Sequence, residues 1–399
     1  MNNKEKLEQD IVSLINAIDI SPTMYKNAEE KYKAIGKCLL DNGHEVNIYP
    51  QGSFALGTVV RPYKNSEEKE YDLDIICEII EAKDSCSPKN VRETVKDTLN
   101  ANAYYTDKIE DYDKCITIEY AKVGEADFNI DIIPSISEDA KKKAELLRLG
   151  NSLDQINTAI VIAVKNEEDY SWSNTINPKA YKAWFDMINT PFSEYEKRTR
   201  MQKLFESNKN IYNSIEDIPT YFNKSSLQMA IQFLKRARDV YFSKNNQYEN
   251  RPISAIISTI TANVAKNMPN NSSVIEIIQK VIEELKIYGE YRIMSESDFI
   301  SNYYDKILIS KKNGKWIMMN PTNPLDNLVD SWNENPNKAT YFFEWVSTLN
   351  IASIVNCVIN DEEYYAAIGN ILGNKIVKRH FYVIYNTKMI NEGTKPWKS

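Results

Sequence analysis

The chain has few of the residues on which several common kinds of catalytic site depend. It contains two histidines, His44 and His380, and five cysteines among 399 residues. Two histidines are too few for a histidine-rich metal site, and they make a Ser-His-Asp triad hard to assemble. The cysteines lack the spacing of metal ligands, so we expect reduced thiols in a cytoplasmic protein, several of them buried.

Long apolar runs and a net positive charge are also absent. No apolar stretch approaches the roughly 20 residues that a membrane-spanning helix requires, and the first residues lack the apolar core of a signal peptide. Lys and Arg number 49 against 56 Asp and Glu, which gives a formal net charge of −7. A protein that grips long nucleic acid neutralises many phosphates. The composition therefore predicts neither a membrane partner nor a long nucleic acid partner.

The most informative stretch begins at residue 51. It reads Q-G-S-F-A-L-G-T-V-V-R-P and is followed by a polar loop and then by E-Y-D-L-D-I-I-C-E-I. Gly52 and Ser53 follow an alternating segment, residues 44–50, that is predicted to be a strand. Because glycine has no Cβ, a Gly-Ser turn lets backbone N–H groups approach a phosphate closely. Gln51, Gly52 and Ser53 are therefore candidates for binding a nucleotide.

Two carboxylates follow on a second predicted strand. Asp72 and Asp74 are two residues apart in a run of Leu and Ile, so the period of a strand places both on one face. Carboxylates side by side on a buried strand repel each other and require a cation, and oxygen ligands on one face suit Mg²⁺. A later alternating segment is expected to supply a third carboxylate, Asp131. Asp127 and Asn129 share its face but lie farther from the apolar end.

Together these motifs resemble those of a known superfamily. A Gly-Ser turn, a D-x-D strand and a later single Asp are similar to the polymerase-β-type nucleotidyltransferases. The longer text Q-G-S-F-A-L-G-T-V-V-R-P with Y-D-L-D resembles the bacterial cGAS/DncV-like nucleotidyltransferases, the CD-NTases. Members of that family make cyclic di- or oligonucleotide signals in anti-phage defence. Each short motif alone has a high false-positive rate, whereas their order along one chain favours a common catalytic role.

Two later segments extend the resemblance over about residues 22–375. The first, W-S-N-T-I-N-P-K-A-Y-K-A-W-F at 172–185, resembles the CD-NTase segment that links the catalytic and helical lobes. Its aromatic residues are better explained as the core of a helix. The second, N-P-T-N-P-L-D-N at 320–327, resembles the segment that precedes the last helices. Its two prolines predict a rigid, extended turn.

The resemblance implies an α+β fold of two lobes, polymerase-β-like, with a mixed catalytic sheet and a helical C-terminal lobe. We expect residues 1–170 to form the nucleotidyltransferase catalytic lobe with an N-terminal spine helix, and residues 171–399 to form the helical, oligoadenylate-synthetase-like lobe. The region after residue 225 is predicted to be almost all helix. The periodicity and capping signals predict helices at 4–18, 22–42, 88–101, 225–239, 338–358 and 361–374, and strands at 44–50, 116–120, 128–133 and 160–164.

A basic cluster lies on the predicted helix 225–239, at Lys235, Arg236 and Arg238. Such a cluster is commonly a solvated helix face. In the nucleotidyltransferases that the chain resembles, however, a Lys on this helix and a Ser early in the next helix contact the triphosphate. Lys235 and Ser254 correspond to them here. A position near a helix N-terminus would direct the Ser254 hydroxyl and backbone donors towards an anion.

The resemblance implies a metal-dependent cyclic oligonucleotide synthase. Asp72, Asp74 and Asp131 would be the catalytic residues and would hold two Mg²⁺ or Mn²⁺ ions. The substrates would be NTPs, the by-product pyrophosphate, and the setting anti-phage (CBASS) signalling with effector-system proteins as partners. Two alternatives stay open: an RNA-directed enzyme of the CCA-adding, poly(A) or tRNA-modifying type, and an inactive nucleotide-binding scaffold. A broad basic surface would favour the first, and a lost carboxylate the second.

Overall fold

The computed structural model describes residues 3–381, apart from 66, 121–127, 168, 208–223, 291–293, 304–307, 352–353 and 355–360. Asp127, the end of the helix predicted at 338–358 and the C-terminal tail lie outside the described residues. In the part of the chain that is described, none of the helices is long and apolar enough to cross a membrane.

The helices and strands follow one another in an order that separates a sheet-rich first half from a helix-rich second half. The helices are α1 (Asn3–Ile18), α2 (Pro22–Asp41), α3 (Gly52–Ala55), α4 (Pro88–Asn100), α5 (Ala140–Arg148), α6 (Leu153–Asn157), α7 (Pro178–Ser207), α8 (Ser226–Lys244), α9 (Ser254–Ala265), α10 (Val274–Glu290), α11 (Glu296–Tyr303), α12 (Asp330–Glu334), α13 (Asn337–Thr348) and α14 (Asp361–Leu372). The strands are β1 (Val46–Pro50), β2 (Tyr63–Lys64), β3 (Glu67–Glu68), β4 (Tyr71–Ile79), β5 (Ile109–Asp111), β6 (Ile116–Glu119), β7 (Phe128–Ser137), β8 (Ile160–Lys165), β9 (Tyr170–Trp172), β10 (Ser310–Lys312), β11 (Lys315–Ile317), β12 (Met319–Asn320) and β13 (Asn323–Asn327).

Several helices begin where the sequence predicts them to begin. The Ser21 hydroxyl accepts a hydrogen bond from the Met24 N–H (3.2 Å), and Pro22 occupies the first helical position of α2. At the start of α4, Ser87 likewise caps the helix and Pro88 occupies its first position. A serine cap satisfies a backbone donor that has no partner within the helix, and proline has no such donor to satisfy.

One mixed sheet holds the strands of the first half. Its order is β1-β4-β7-β6-β5, with β8 paired to β7 and β9 paired to β8. Strands β4 and β7 are parallel, and the other neighbours are antiparallel. Helices α2 and α4 pack against the sheet, and their apolar residues join those of the strands in a single hydrophobic core, the sheet core. The predicted mixed sheet is therefore present.

A second hydrophobic core, the helical core, surrounds α8. Residues from α1, α7, α9, α10, α13 and α14 contribute to it. Leu7, Ile11 and Leu14 of α1 lie in this helical core, whereas Met24 and Ala28 of α2 lie in the sheet core. The first two helices therefore join different cores, and the role of an N-terminal spine helix remains a prediction. The lobe boundary near residue 170 remains a prediction.

The region after residue 225 is less helical than predicted. Strands β10–β11 and β12–β13 form two hairpins between α11 and α12. The first hairpin turns through Asn313 and Gly314, whose φ values of 53° and 77° are both left-handed. Asn-Gly is the strongest short hairpin signal in a sequence. The second hairpin contains the predicted proline turn. Helix α13 ends at Thr348, and the predicted end at residue 358 lies outside the described residues.

Candidate active site

Three carboxylates lie close together on strands β4 and β7. In the parallel register of these strands Asp74 is directly opposite Asp131, and Asp72 lies two residues before Asp74 on the same face. Asp72 is exposed, and the other two are half-buried, whereas Leu73 and Ile75 between and beyond them point into the sheet core. The alternation of polar and apolar residues therefore acts as predicted.

The neighbouring strand β6 supports the third carboxylate. Thr117 is the cross-strand partner of Asp131. The Thr117 hydroxyl donates a hydrogen bond of 2.6 Å to Asp131 Oδ1. This bond fixes the orientation of the Asp131 carboxylate and leaves its second oxygen free of this contact. Asp74, Asp131 and Thr117 thus form one row across three strands.

Burial and mutual repulsion favour the protonated state of these carboxyl groups. Burial raises the pKa of Asp74 to about 7, and the charges of Asp131 and Asp72 act in the same direction. Although the Asp72 side chain is partly exposed, the surrounding protein displaces enough water to raise its pKa to about 6, and the charge of Asp131 is the next cause. The pKa of Asp131 is raised by burial, which the bond from Thr117 opposes. A cation on this face would offset the repulsion.

The donor set fits a hard cation, although the geometry of a formed metal site is not present. Carboxylate oxygens are the ligands that Mg²⁺ prefers. Among the residues that the structure describes, no group of three or more His, Cys, Asp or Glu side chains could hold a metal ion as they are placed.

The Gly-Ser turn lies directly against these carboxylates. The Gln51 N–H donates to the backbone oxygen of Asp74 (2.9 Å), which fixes the start of α3 to β4. Gly52 has a φ of 57°, and a Cβ at this position would lie 3.2 Å from Asp74 Oδ2. The left-handed backbone and the close approach both favour glycine. Any ligand held by the turn at residues 52–53 would lie beside Asp74.

A cleft of about 330 Å³ opens on the other side of the turn. Residues from the turn, α7, α8, α9 and the second hairpin line it. The five predicted nucleotide-binding residues are all among them: Gln51, Gly52, Ser53, Lys235 and Ser254. The three carboxylates are not lining residues, and Asp74 adjoins the cleft through its contact with Gly52.

The basic cluster on α8 is buried, so it is not a solvated helix face. Lys235, Arg236 and Arg238 expose 4%, 0% and 6% of their surface. Lys235 Nζ donates to the backbone oxygen of Thr58 (2.8 Å). Burial lowers the pKa of Lys235 to about 7, the charge of Arg238 acts in the same direction, and the charge of Asp74 opposes both.

Arg238 connects this cluster to the start of α9. Its Nη1 donates to the Ser254 hydroxyl (3.1 Å) and to the backbone oxygen of Pro252 (2.9 Å). Ser254 is the first residue of α9, and its side chain is half-buried at the wall of the cleft. The sequence-based pairing of Lys235 with Ser254 is therefore matched by a shared cleft, although a role in binding remains a prediction.

The cleft is also lined by several residues that the sequence motifs do not identify as parts of a site. Those with polar side chains are Asn177, Tyr181, Lys182, Ser258, Asn320, Asp326 and Asn327. Most of them belong to the two segments that carry the family resemblance, which could have identified them. Phe185 is fully buried, as its interpretation as core predicts, but the half-buried Tyr181 lines the cleft. The Tyr181 hydroxyl also bonds to Thr259 Oγ1 (2.7 Å).

The second hairpin places a carboxylate at the far wall of the cleft. Asp326 is half-buried, and Asn320 Nδ2 donates to its Oδ2 (2.9 Å). Burial raises the pKa of Asp326. Asn323, in contrast, is buried and donates to the backbone oxygen of Thr175 (2.6 Å), so it holds the hairpin in place. The N-P-T-N-P-L-D-N segment thus combines structural amides with lining residues.

Known proteins share both the sequence pattern and the fold. Residues 6–152 match the family described as the Second Messenger Oligonucleotide or Dinucleotide Synthetase (SMODS) domain. A curated relative, the c-di-GMP synthase of Roseivirga ehrenbergii, is 27% identical over 354 residues, which cover 87% of this chain and 79% of the relative.

Solved structures of CD-NTases are similar over nearly the whole chain. The Bradyrhizobium diazoefficiens CD-NTase CdnG, in complex with GTP, has a TM-score of 0.65 at 18% identity, covering 95% of this chain and 99% of the other. This likeness shows the fold. Vibrio cholerae DncV, in complex with nonhydrolyzable GTP, is 16% identical over 92% of this chain and 85% of the other, with a TM-score of 0.47.

Proposed function

We propose that the chain is a cGAS/DncV-like nucleotidyltransferase that joins NTPs into a cyclic di- or oligonucleotide second messenger. The match of residues 6–152 to the SMODS domain and the similarity to a curated c-di-GMP synthase support this proposal. The observation that carries this proposal is the position of the Gly52–Ser53 turn. It lies between the Asp74 carboxylate and a cleft that Lys235 and Ser254 also line. A triphosphate held there would present its α-phosphate to the carboxylate row.

Asp72, Asp74 and Asp131 are the residues that would hold two Mg²⁺ or Mn²⁺ ions. Their fit is supported by their oxygen donors and by the repulsion that raises the pKa of Asp74. When bound, such ions acidify the attacking ribose hydroxyl and offset negative charge at the phosphate. Divalent metals are typical of this nucleotidyltransferase family.

The side chains of this protein would do mainly positioning and charge neutralisation. The backbone N–H groups at Gly52 and Ser53 would hold the triphosphate, and Lys235 would donate to it with the N–H groups not used by Thr58. Asp131 would accept the proton of a ribose hydroxyl. The new bond joins that oxygen to the α-phosphorus, and the bond from the α-phosphorus to the bridging oxygen breaks, so that pyrophosphate leaves. A second transfer would close the ring.

The finer proposal is that guanine nucleotides are used. Guanine presents its N1–H and N2–H donors side by side, and a carboxylate accepts such a pair. Asp326 supplies a half-buried carboxylate at the wall of the cleft, with one oxygen already oriented by Asn320. The name of the curated relative, a c-di-GMP synthase, agrees with this choice. Adenine would place an acceptor, N1, against the same carboxylate.

In the cell the product would act as a signal in anti-phage (CBASS) defence. We place the enzyme in the cytoplasm, where NTPs are supplied, and we expect separate effector proteins to bind the product. The net charge of −7 supports free NTPs rather than long RNA as substrates.

The test is incubation of the purified protein with Mg²⁺ or Mn²⁺ and each labelled NTP, alone and in combination, with and without tRNA. We expect a small product from GTP without RNA that resists phosphatase, because a closed ring has no terminal phosphate. Mass spectrometry identifies the bases. Strict dependence on RNA, or stepwise lengthening of a primer, would replace this proposal with the RNA-directed alternative. A short product that phosphatase degrades would remove only the ring closure.

A further inference from the structure

A row of side chains on and next to α8 binds the loop that follows the Gly-Ser turn. We call residues 56–59 the turn loop, and the row of donors the α8 clasp. The clasp consists of Lys224, Gln228, Gln232 and Lys235, each three or four residues from the next. This spacing places Gln228, Gln232 and Lys235 on one face of α8, and Lys224 lies just before the start of the helix.

Each member of the α8 clasp donates to a different backbone oxygen of the turn loop, so that four consecutive carbonyl groups are bound. The bonds are Gln228 Nε2 to Leu56 O (2.8 Å), Lys224 Nζ to Gly57 O (2.7 Å), Lys235 Nζ to Thr58 O (2.8 Å) and Gln232 Nε2 to Val59 O (2.6 Å). The loop has no strand partner of its own, and its buried carbonyl groups need donors.

The turn loop is joined in turn to the residues proposed to hold the triphosphate. The Leu56 N–H donates to Gly52 O (3.2 Å), and the Thr58 N–H donates to Ser53 O (2.9 Å). Phe54, between them, packs in the sheet core, whereas Leu56 packs in the helical core. The turn is therefore held between the two cores, and the clasp fixes it from the helical side.

Gln228 packs closely against Gly57 of the turn loop. Gly57 has a φ of 66°, and a Cβ there would lie 2.5 Å from Gln228 Nε2. The same amide group also accepts from the Ser225 N–H through its Oε1 (3.0 Å), which closes a capping box at the start of α8. One end of the amide thus serves the helix and the other end serves the loop.

We propose that Gln228 is a positioning residue that sets the place of the Gly52–Ser53 turn through its bond to Leu56 O. Lys224 supports it through the neighbouring carbonyl group. The inference rests on the proposed function, because it assumes that the turn holds the triphosphate. Misplacement of such a group by about 1 Å costs about a hundredfold in rate. If the clasp only provided hydrogen-bond donors for buried carbonyl groups, its loss would lower the stability of the protein and leave the rate of the reaction unchanged.

One substitution can remove the hydrogen bond from Gln228 to the turn loop and keep its hydrogen bond within the capping box. Gln228→Glu keeps the acceptor that closes the capping box and removes the donor to Leu56 O. Gln155 offers a matched control, because it closes the same kind of capping box with Ser152 at α6 and is not a lining residue of the cleft. We compare steady-state kinetics of product formation and thermal midpoints for Gln228→Glu, Gln155→Glu and the unchanged protein.

We expect Gln228→Glu to lower kcat about tenfold to a hundredfold, while Gln155→Glu leaves kcat unchanged. If Gln228→Glu lowers only the thermal midpoint and kcat stays at the unchanged value, the bond is structural and the inference is wrong. The double variant Asp72→Asn with Asp74→Asn is assayed in parallel, so that failure of the proposed function can be distinguished from failure of this inference. An active carboxylate variant would overturn the proposed function itself, whatever Gln228→Glu shows.

A second pair of variants covers the case in which Gln228→Glu does not fold. Lys224→Met removes the donor to Gly57 O, and Lys224→Arg keeps a donor at the same place. We expect Lys224→Met to lower kcat and Lys224→Arg to restore most of it. Equal kcat values in the two variants would contradict a positioning role for the α8 clasp.

Discussion

The sheet side and the helix side of the candidate site carry opposite charges and are built in different ways. On the sheet side, Asp72 and Asp74 alternate with core residues, so one face of the strand stays accessible to a ligand. On the helix side, α8 is buried along most of its length, and Lys235 lies inside the protein with a backbone oxygen as its partner. On a strand with one buried face, the charged side chains can all point to the other, accessible face. On a helix that is buried on all sides, each charged side chain requires a hydrogen-bond or ion-pair partner inside the protein.

The same physical cause acts on both sides with opposite sign. Loss of water disfavours the charged form, so burial raises the pKa of Asp74 to about 7 and lowers the pKa of Lys235 to about 7. Each of these groups also stabilises the charge of the other. The two sides therefore interact electrostatically, although they come from different cores.

The largest effect is expected on the sheet side. Asp72→Asn with Asp74→Asn should reduce nucleotide incorporation to background, because neutral amides cannot replace two carboxylates as ligands of divalent metals. The protein should remain folded, since the substitution removes repulsion. Incorporation of labelled NTP and a thermal melt measure both results. Glu110→Gln, an exposed carboxylate on β5 of the same sheet, is the control that should keep full activity. Near-normal incorporation by the double variant would mean that the metal site lies elsewhere.

A smaller effect is expected on the helix side. Lys235→Met should weaken binding of a non-hydrolysable NTP by about tenfold to a hundredfold, the range for loss of a hydrogen bond to a charged group. The thermal midpoint should change little, because loss of the bond to Thr58 O and relief of lysine desolvation oppose each other.

Lys244→Met provides the matched comparison for the helix side. Lys244 lies at the exposed end of α8 and also donates to a backbone oxygen, that of Asn370 (3.1 Å). We expect its loss to leave NTP affinity unchanged. Equal affinities for Lys235→Met, Lys244→Met and the unchanged protein would show that the buried lysine is structural, and the two sides would then not act as one unit.

The smallest effect is a pH dependence of stability in metal-free protein. The pKa of Asp74 in the folded protein, about 7, lies above the usual value of 3.8 for an aspartate in an unfolded chain. Between these values the folded state keeps a proton that the unfolded chain has lost, so the unfolding free energy falls as pH rises from about 4 to about 7. Urea unfolding at several pH values, with chelator present, should show this fall in the unchanged protein and a shallower one in Asp74→Asn. Parallel slopes for the two proteins would contradict the assigned electrostatics.

The fold class and most of the sheet side of the site could be predicted from the sequence alone. The match of residues 6–152 to the SMODS domain agrees with the predicted resemblance to the CD-NTases, and the likeness to CdnG confirms the predicted two-lobed α+β fold. Alternation placed Asp74 and Asp131 on one face, and capping and proline signals predicted the helices that begin at Pro22 and Pro88. These features depend on spacing within a few residues, which a sequence displays directly. The roles of the site residues remain predictions.

The surroundings of α8 could not be predicted from the sequence and are visible only in the folded structure. The sequence shows Lys235 in a charged run, but its burial depends on helices and a loop that are distant along the chain. The α8 clasp joins residues 224–235 to residues 56–59, and no local period reveals which carbonyl group meets which donor. The cleft walls, including Tyr181 and Asp326, likewise come from segments that meet only in the folded chain. Long-range packing chooses these contacts, because burial of polar groups is tolerated only where partners already lie within reach.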